Sequence, residues 1–362
     1  MTARAASATS FGPLAVEPRR ILVRAPNWVG DVVMATPAFR ALRARFPAAE
    51  ITVQLREAVA PLLSGAPWFD ARLDVASHRR GLVATLAEGR ALRARGFDLG
   101  ICLPDSVSSA LLMRAARVRE VVGYARGLRG VLLHRAVAPL RGDDGGGWVA
   151  RERHVLGLAA AVGAPGDDPR LELFVTADEE AEAGAALAGA GVARGEGLVA
   201  LAPGAAYGPS KCWPPEHFAR LAEALSRSGL RPVLVGAPSE RETSARVVAA
   251  AAAPPVDLTG RISLGALKAV LRGARALVCN DAGARHVAAA FGVPVVCLFG
   301  PTSVAKTNLN LERVSILTAD VGCRPCYHRR CPIDHRCMTH IEPERVAEAT
   351  LGALAAGAGA PA

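Results

Sequence analysis

Short apolar runs alternate along the chain with alanine-rich stretches of helical period, and Gly or Pro turns separate them. Ile21–Ala25 leads into the turn Pro26–Gly30 and then a helical stretch ending near Arg45. Ile51–Leu55, Leu99–Leu103 and Glu120–Gly123 repeat the pattern in the first half. Leu198–Ala202, Pro232–Val235, Ala276–Cys279 and Val295–Phe299 repeat it in the second. Apolar runs of this length, bounded by turns and spaced by helices, read as parallel strands buried on both faces. Two such series predict two Rossmann-like, doubly wound α/β domains. The turn-rich segment Ala164–Pro169 lies near the expected boundary. The expectation is a disordered tail over 1–18, domains over 19–175 and 176–356, and a second disordered tail over 357–362. A helix over Ala177–Ala190 opens the second domain, and another over Pro343–Ala355 closes it. The Gly-rich Asp143–Trp148 reads as a loop.

Composition narrows the class. The chain has 362 residues, 51% of them hydrophobic and 4% aromatic. That is ample for buried cores and excludes a disordered chain. The scarcity of aromatics argues against a base-stacking nucleic-acid binder. No apolar run approaches the ~18 residues of a membrane span, and residues 1–20 lack an apolar signal core. A soluble, cytoplasmic protein is expected.

Charge is unevenly placed. Lys+Arg number 43 against 33 Asp+Glu, a net charge of +10. Residues 1–175 hold 24 Arg and 16 acids, or +8; the rest hold 19 basic and 17 acidic residues, or +2. A one-sided field suggests that the first half meets an anionic partner; an Arg-rich genome bias is the alternative. The only lysines are Lys211, Lys268 and Lys306.

Ligands of open parallel sheets bind beyond the carboxyl ends of the strands. Four such junctions carry unusual polar residues. In Asn27-Trp28-Val29-Gly30-Asp31, Asp31 is either a helix cap or a carboxylate able to act as general base. In Pro203–Pro215, Tyr207, Ser210 and Lys211 lie on a Gly/Pro-shaped connection, where a lysine suits a phosphate. In Val235–Glu240, Glu240 is either a ribose acceptor group or a first-turn acid that complements a helix dipole. In Asn280-Asp281-Ala282-Gly283-Ala284-Arg285-His286, Asp281 is expected to cap a helix. The N–H groups of Ala282 and Gly283 would form an anion site, with His286 one turn in.

Trp28-Val29-Gly30-Asp31, Tyr207-Gly208-Pro209, Lys211-x-Trp213-Pro214, Asn280-Asp281-x-Gly283-x-x-His286 and Gly300-Pro301-Thr302-Ser303, taken in this order, resemble one family. It is the bacterial ADP-heptose:lipopolysaccharide heptosyltransferases, glycosyltransferase family 9, and within it the branch that adds the second heptose. The resemblance runs from Ile21 to Leu351. It implies a GT-B fold, two Rossmann-like domains facing across a cleft, and inverting transfer of L-glycero-D-manno-heptose from ADP-heptose without a catalytic metal. By the resemblance, Asp31 would be the general base. Tyr207, Ser210 and Lys211 would border the donor, Glu240 would hold the ribose, and Ile262 would lie near the adenine. Asp281 would touch the heptose, Ala282 and Gly283 would offer N–H groups to the diphosphate, and His286 would support the leaving group. Ala282 departs from the hydroxyl residue common in relatives, which removes one phosphate hydrogen bond. The acceptor would be a lipid A–Kdo–heptose glycolipid, met by a cytoplasmic enzyme in peripheral contact with the inner membrane face. No nucleic acid is implied, and nothing in the chain specifies an oligomeric state. Heptosyltransferase I activity, another GT-B transferase with a different donor, and a non-catalytic nucleotide-sugar-binding module are the competing readings.

Four cysteines cluster as Cys323-x2-Cys326-x4-Cys331-x5-Cys337, with His328, His335 and His340 among them. Four thiolates suit a tetrahedral structural zinc, although the spacing is looser than paired CxxC knuckles. Free thiols are the alternative.

Overall fold

The computed structural model describes residues 14, 16–76, 81–142 and 147–357. The chain divides into two units: Met1–Glu172 with Ala305–Leu309, and Leu173–Val304 with Asn310–Ala362. Most of both expected tails, and positions 143–146 of the Gly-rich loop, lie outside the described residues.

The first unit runs β1 (Arg20–Arg24), α1 (Val29–Met34), α2 (Thr36–Arg45), β2 (Glu50–Arg56), β3 (Ala71–Val75), α3 (Leu82–Ala91), β4 (Leu99–Cys102), α4 (Val107–Ala115), β5 (Glu120–Tyr124), β6 (Arg135–Val137) and α5 (Arg151–Ala160). Its six strands pair in parallel in the order β3-β2-β1-β4-β5-β6. The second unit runs α6 (Ala177–Gly189), β7 (Leu198–Ala202), α7 (Pro215–Arg227), β8 (Arg231–Leu234), α8 (Arg241–Ala250), β9 (Val256–Asp257), α9 (Leu264–Gly273), β10 (Ala276–Asn280), α10 (Gly283–Ala290), β11 (Val295–Phe299), β12 (Val314–Thr318), α11 (Arg336–Thr339) and α12 (Pro343–Gly357). Its strands, also parallel, lie in the order β12-β11-β10-β7-β8-β9. Both sheets therefore have the doubly wound order, and the winding reverses between β1 and β4 and between β7 and β10. These two switch points are where such sheets open a crevice for ligands.

The central strands are those the apolar runs predict. β7, β10 and β11 are buried at every position. Burying each large apolar side chain contributes about 1.5–3 kcal/mol. The strands the pattern does not single out are β3, β6, β9 and β12, the four edge strands. In β3, Arg72 and Asp74 alternate with more buried neighbours. An edge strand is covered on fewer sides, so its sequence need not be continuously apolar.

Lys268 is fully buried; its ammonium meets the Glu179 carboxylate at 3.0 Å and donates to the Phe174 carbonyl at 2.8 Å. Glu179 also closes a capping box with Thr176 at the start of α6. One of the three lysines thus ties α6 to α9.

Candidate functional site

At the β7/β10 switch point a buried amide sets the frame. Asn280, at the end of β10, is fully buried. Its Oδ1 accepts from the Trp213 backbone N–H at 3.0 Å, and its Nδ2 donates to the Pro203 carbonyl at 2.8 Å. Trp213 is itself fully buried, and its indole N–H donates to the Ile341 carbonyl at 2.8 Å. One side chain therefore fixes both ends of the 203–213 connection against β10. That brings Lys211 beside Asp281.

Lys211 Nζ donates to Asp281 Oδ2 at 2.5 Å and to the Asp281 carbonyl at 3.1 Å. Thr302 Oγ1 donates to the same Oδ2 at 2.7 Å. Burial acts to raise the Asp281 carboxyl, but the Lys211 charge, with hydrogen bonds from Lys211 and Thr302, outweighs it and holds the group below the ordinary carboxylate range. Asp281 does not cap the helix. The cap position of α10 is Ala282, in extended conformation and without a side-chain cap bond. The physical reason is that the carboxylate is already taken by Lys211 and Thr302. The first N–H groups of α10 consequently have no side-chain cap, the condition for an anion site at a helix N-terminus. His286, one turn in, is 5% exposed. Burial first, then the nearby Arg285 charge, pushes its imidazole down to about 3, so it is neutral at physiological pH.

Glu240 and Ile262 occupy neighbouring loops beyond β8 and β9. Glu240 Oε2 accepts from the Ala237 N–H at 2.8 Å, and burial raises its carboxyl above the usual range. The carboxyl lies directly over two glycines. A Cβ on Gly204 would come within 2.2 Å of Oε1, and one on Gly236 within 2.7 Å of Oε2. The Gly260 N–H donates to the Gly236 carbonyl at 2.9 Å, which stitches the Ile262 loop to the Glu240 loop. Ile262 is half-buried.

Tyr207 and Ser210 face the cysteine-rich segment. Tyr207 Oη donates to the Tyr327 carbonyl at 2.5 Å, while Lys211 Nζ lies 5.0 Å from the Tyr207 ring centroid. Ser210 is 3% exposed; its hydroxyl donates to the His328 carbonyl at 2.5 Å, and its carbonyl accepts from His335 Nε2 at 2.7 Å. The Ser210 hydroxyl is therefore committed within the protein. Gly208, at φ +153°, lies where a Cβ would come within 2.5 Å of the Arg329 carbonyl.

Cys323, Cys326, Cys331 and Cys337 all line one cavity of about 130 Å³ that Ser210 and His335 also border. The Cys331 sulfur accepts from the His335 N–H at 3.3 Å. The ligand set is not closed: among the described residues, no three His, Cys, Asp or Glu side chains stand close enough together to hold a metal ion. Cys102, Cys279 and Cys297 are buried in β4, β10 and β11.

At the β1/β4 switch point of the first unit, Asp31 sits within the first turn of α1, which begins at Val29. Asp31 Oδ1 is 3.5 Å from Arg151 Nε at the start of α5. Burial raises the Asp31 carboxyl, against the pull of Arg151 and His154. Beyond β4, Asp105 meets His154 Nε2 at 3.2 Å and Arg126 Nε at 3.2 Å. Tyr124 stacks on His154 at 4.1 Å and donates its hydroxyl to the His154 carbonyl at 2.7 Å. Asp105, Arg126, Arg151 and His154 escape sequence reasoning because they come from three places in the chain, the loops after β4 and β5 and the start of α5, and none stands in a motif. The signal available was Asp105 two residues past a predicted strand.

A model of the family described as glycosyltransferase family 9 (heptosyltransferase) matches residues 85–336. Lipopolysaccharide heptosyltransferase 2 of Salmonella typhimurium is 30% identical over 351 residues, spanning 91% of this chain and 97% of that one. The structure of E. coli ADP-heptose lps heptosyltransferase II superposes with a TM-score of 0.78 at 27% identity, covering 94% of this chain and 99% of that one. A glycosyltransferase family 9 structure from Veillonella parvula shares the fold, with a TM-score of 0.81 at 21% identity. Two doubly wound α/β units match the GT-B architecture of these heptosyltransferase structures. The chain belongs to glycosyltransferase family 9, the heptosyltransferases, and is a glycosyltransferase.

Proposed function

We propose that this chain transfers L-glycero-D-manno-heptose from ADP-heptose to the lipopolysaccharide inner core, adding the second heptose to the first with inversion. The observation that carries this reading is the Lys211–Asp281 pair at the N-terminus of α10, with the carboxylate of Asp31 at the switch point of the other unit. The Salmonella typhimurium and E. coli relatives named above supply the donor and acceptor classes.

Asp31 accepts the proton of the acceptor hydroxyl as its oxygen attacks the anomeric carbon. The bond from that carbon to the ADP oxygen breaks, and ADP leaves with the electron pair. Negative charge grows on the diphosphate, where the Ala282 and Gly283 N–H groups and the Lys211 ammonium oppose it. Asp281 orients Lys211 and meets the heptose. Neutral His286 offers a hydrogen bond rather than a charge to the leaving group. Glu240 has one carboxylate oxygen on Ala237 and uses the other for the ribose diol, with Ile262 beside the adenine. Tyr207 and Ser210 border the donor by anchoring the 203–213 connection.

The acceptor is a lipid A–Kdo–heptose glycolipid, met in the cytoplasm at the inner membrane face. The +8 charge of residues 1–175 favours such an anion. No helix among the described residues is long and apolar enough to cross a membrane, so contact would be peripheral. Catalysis needs no cofactor. What supports a structural zinc is that all four thiols line one cavity.

Incubation with ADP-heptose and defined truncated cores, read by mass spectrometry, tests the function. One heptose should appear on lipid A–Kdo–heptose and none on lipid A–Kdo. Transfer to the latter would make this a first-heptose enzyme, and turnover only with another nucleotide sugar would replace the donor.

A further inference from the structure

Arg151 Nε is sealed from solvent and donates no hydrogen bond. A buried donor left unpaired costs free energy, and each one in a folded chain calls for an explanation. Asp31 Oδ1, at 3.5 Å, is the carboxylate oxygen paired with it. Among the described residues this is also the one ion pair that Asp31 makes. The Asp31 side chain is about one-third exposed, so it faces the crevice at the β1/β4 switch point with little to fix its orientation. A general base must be held in line with the proton it takes.

The helix that carries Arg151 is itself pinned. His154, one turn further along α5, is held by Asp105 through Nε2 and by the Tyr124 hydroxyl through its carbonyl. A Cβ on Gly157 would come within 2.3 Å of that hydroxyl, so α5 lies hard against β5. Arg151 Nη2 donates to the Leu103 carbonyl at 3.4 Å. The ion pairs of Asp105 are to His154, Arg126 and Arg129, which leaves the Arg151 guanidinium to Asp31. Helix α1 also packs on α2 and on the 57–63 turn. The α2 arginines are spent elsewhere: Arg40 on Asp168 and Glu172, Arg43 on Asp70 and Arg45 on Glu17. Glu57 of the turn is exposed. The charges acting on the Asp31 carboxyl therefore come from α5, Arg151 first and His154 after it.

We propose that Arg151 is the positioning residue for Asp31: its Nε–H closes on Oδ1 when the acceptor fills the crevice, which fixes the plane of the carboxylate and leaves Oδ2 to take the acceptor proton. The proposal deepens the reading of Asp31 as the general base and rests on it. Catalytic hydrogen bonds are often long before substrate binds and tighten in the complex, as a 3.5 Å separation with an unspent donor allows. Arg151 thus has two separable effects. Its charge favours the ionised carboxylate, and its Nε–H orients it.

The test measures kcat, acceptor KM and the pH dependence of kcat/KM in the full chain and in Arg151→Ala, Arg151→Lys and Asp31→Asn. Arg151→Ala should lose about 10–10²-fold in kcat, with acceptor KM near native, because misplacing a reacting group acts on the chemical step. Millimolar guanidinium should restore much of that loss in Arg151→Ala and none in Asp31→Asn. Arg151→Lys keeps the charge and lacks the Nε–H, so its acid limb should stay near the native one while kcat remains low. Native kcat in Arg151→Ala together with an inactive Asp31→Asn would leave the base in place and overturn the proposal. A loss confined to acceptor KM would make Arg151 a substrate ligand instead. A low kcat that guanidinium does not restore would assign the loss to the packing of α5, and it too would overturn the proposal. Native transfer by Asp31→Asn would remove the base reading, and the proposal with it.

Discussion

Lys211 and Asp281 stand 70 positions apart and form an ion pair with 2.5 Å between Nζ and Oδ2, each side chain 12% exposed. Removing one member of such a pair strands the other, at about 3–5 kcal/mol. Lys211→Ala should lower stability toward the smaller figure, because some solvent reaches the pair, and should abolish transfer. Lys211→Met combined with Asp281→Asn should recover most of the stability and none of the activity. Urea midpoints with single-turnover rates check both; a stable single Lys211→Ala protein would show that the pair contributes little to folding.

As the proposed base, Asp31 would act only when ionised. Burial raises its carboxyl, so the rate should fall with decreasing pH at a higher pH than an ordinary carboxylate allows. Arg151 pulls the other way. Arg151→Gln should therefore move the acid limb of kcat/KM to still higher pH, while Asp31→Asn removes about 10²–10⁴ of the rate and leaves ADP binding near normal. An unmoved acid limb in Arg151→Gln would separate Asp31 from that limb.

The Glu240 carboxyl occupies the space a side chain at position 204 would need. Gly204→Ala places a methyl within 2.2 Å of Oε1 and should displace the carboxyl at a cost of about 1–3 kcal/mol. The loss should appear in ADP affinity, measured by calorimetry, more than in Tm. Equal ADP affinity in Gly204→Ala and the native chain would argue against Glu240 as the ribose ligand.

His286 is neutral in the folded chain down to about pH 3, against an ordinary value near 6.5 when unfolded. Between these values the unfolded chain binds the extra proton, so folding stability falls as pH drops below about 6.5. His286→Gln removes this penalty. Its stability between pH 6.5 and 4 should decline less steeply than that of the native chain in urea titrations. Parallel slopes would mean that His286 is protonated in the fold.

The four thiols give a direct measurement. Elemental analysis of protein prepared without chelator should find zinc near one mole per mole, and less than about a tenth would leave the cavity as a thiol-lined packing feature. Cys326→Ser should lower both the zinc content and the thermal stability. Because Tyr207 and Ser210 are anchored on Tyr327 and His328, donor KM should rise with them.

The central strands, their parallel arrangement and the positions of four polar junctions follow from the order of apolar runs. A strand buried on both faces must be continuously apolar, and a chain that alternates such strands with helices has few ways to wind. Asp31, Glu240 and the Asp281–His286 turn stand out as candidates for the same reason, since each lies on the connection that follows such a strand. Partnership was not legible. Whether Asp281 caps α10 or pairs with Lys211 depends on Asn280 holding the 203–213 connection against β10, a contact between residues some 70 positions apart. Ser210 reads in the sequence as a hydroxyl bordering the donor and is committed to His328 in the fold. The Asp105–His154–Arg126 cluster likewise comes from separate elements. Periodicity records which face of an element is buried. Which side chains meet is decided only when the sheets are assembled.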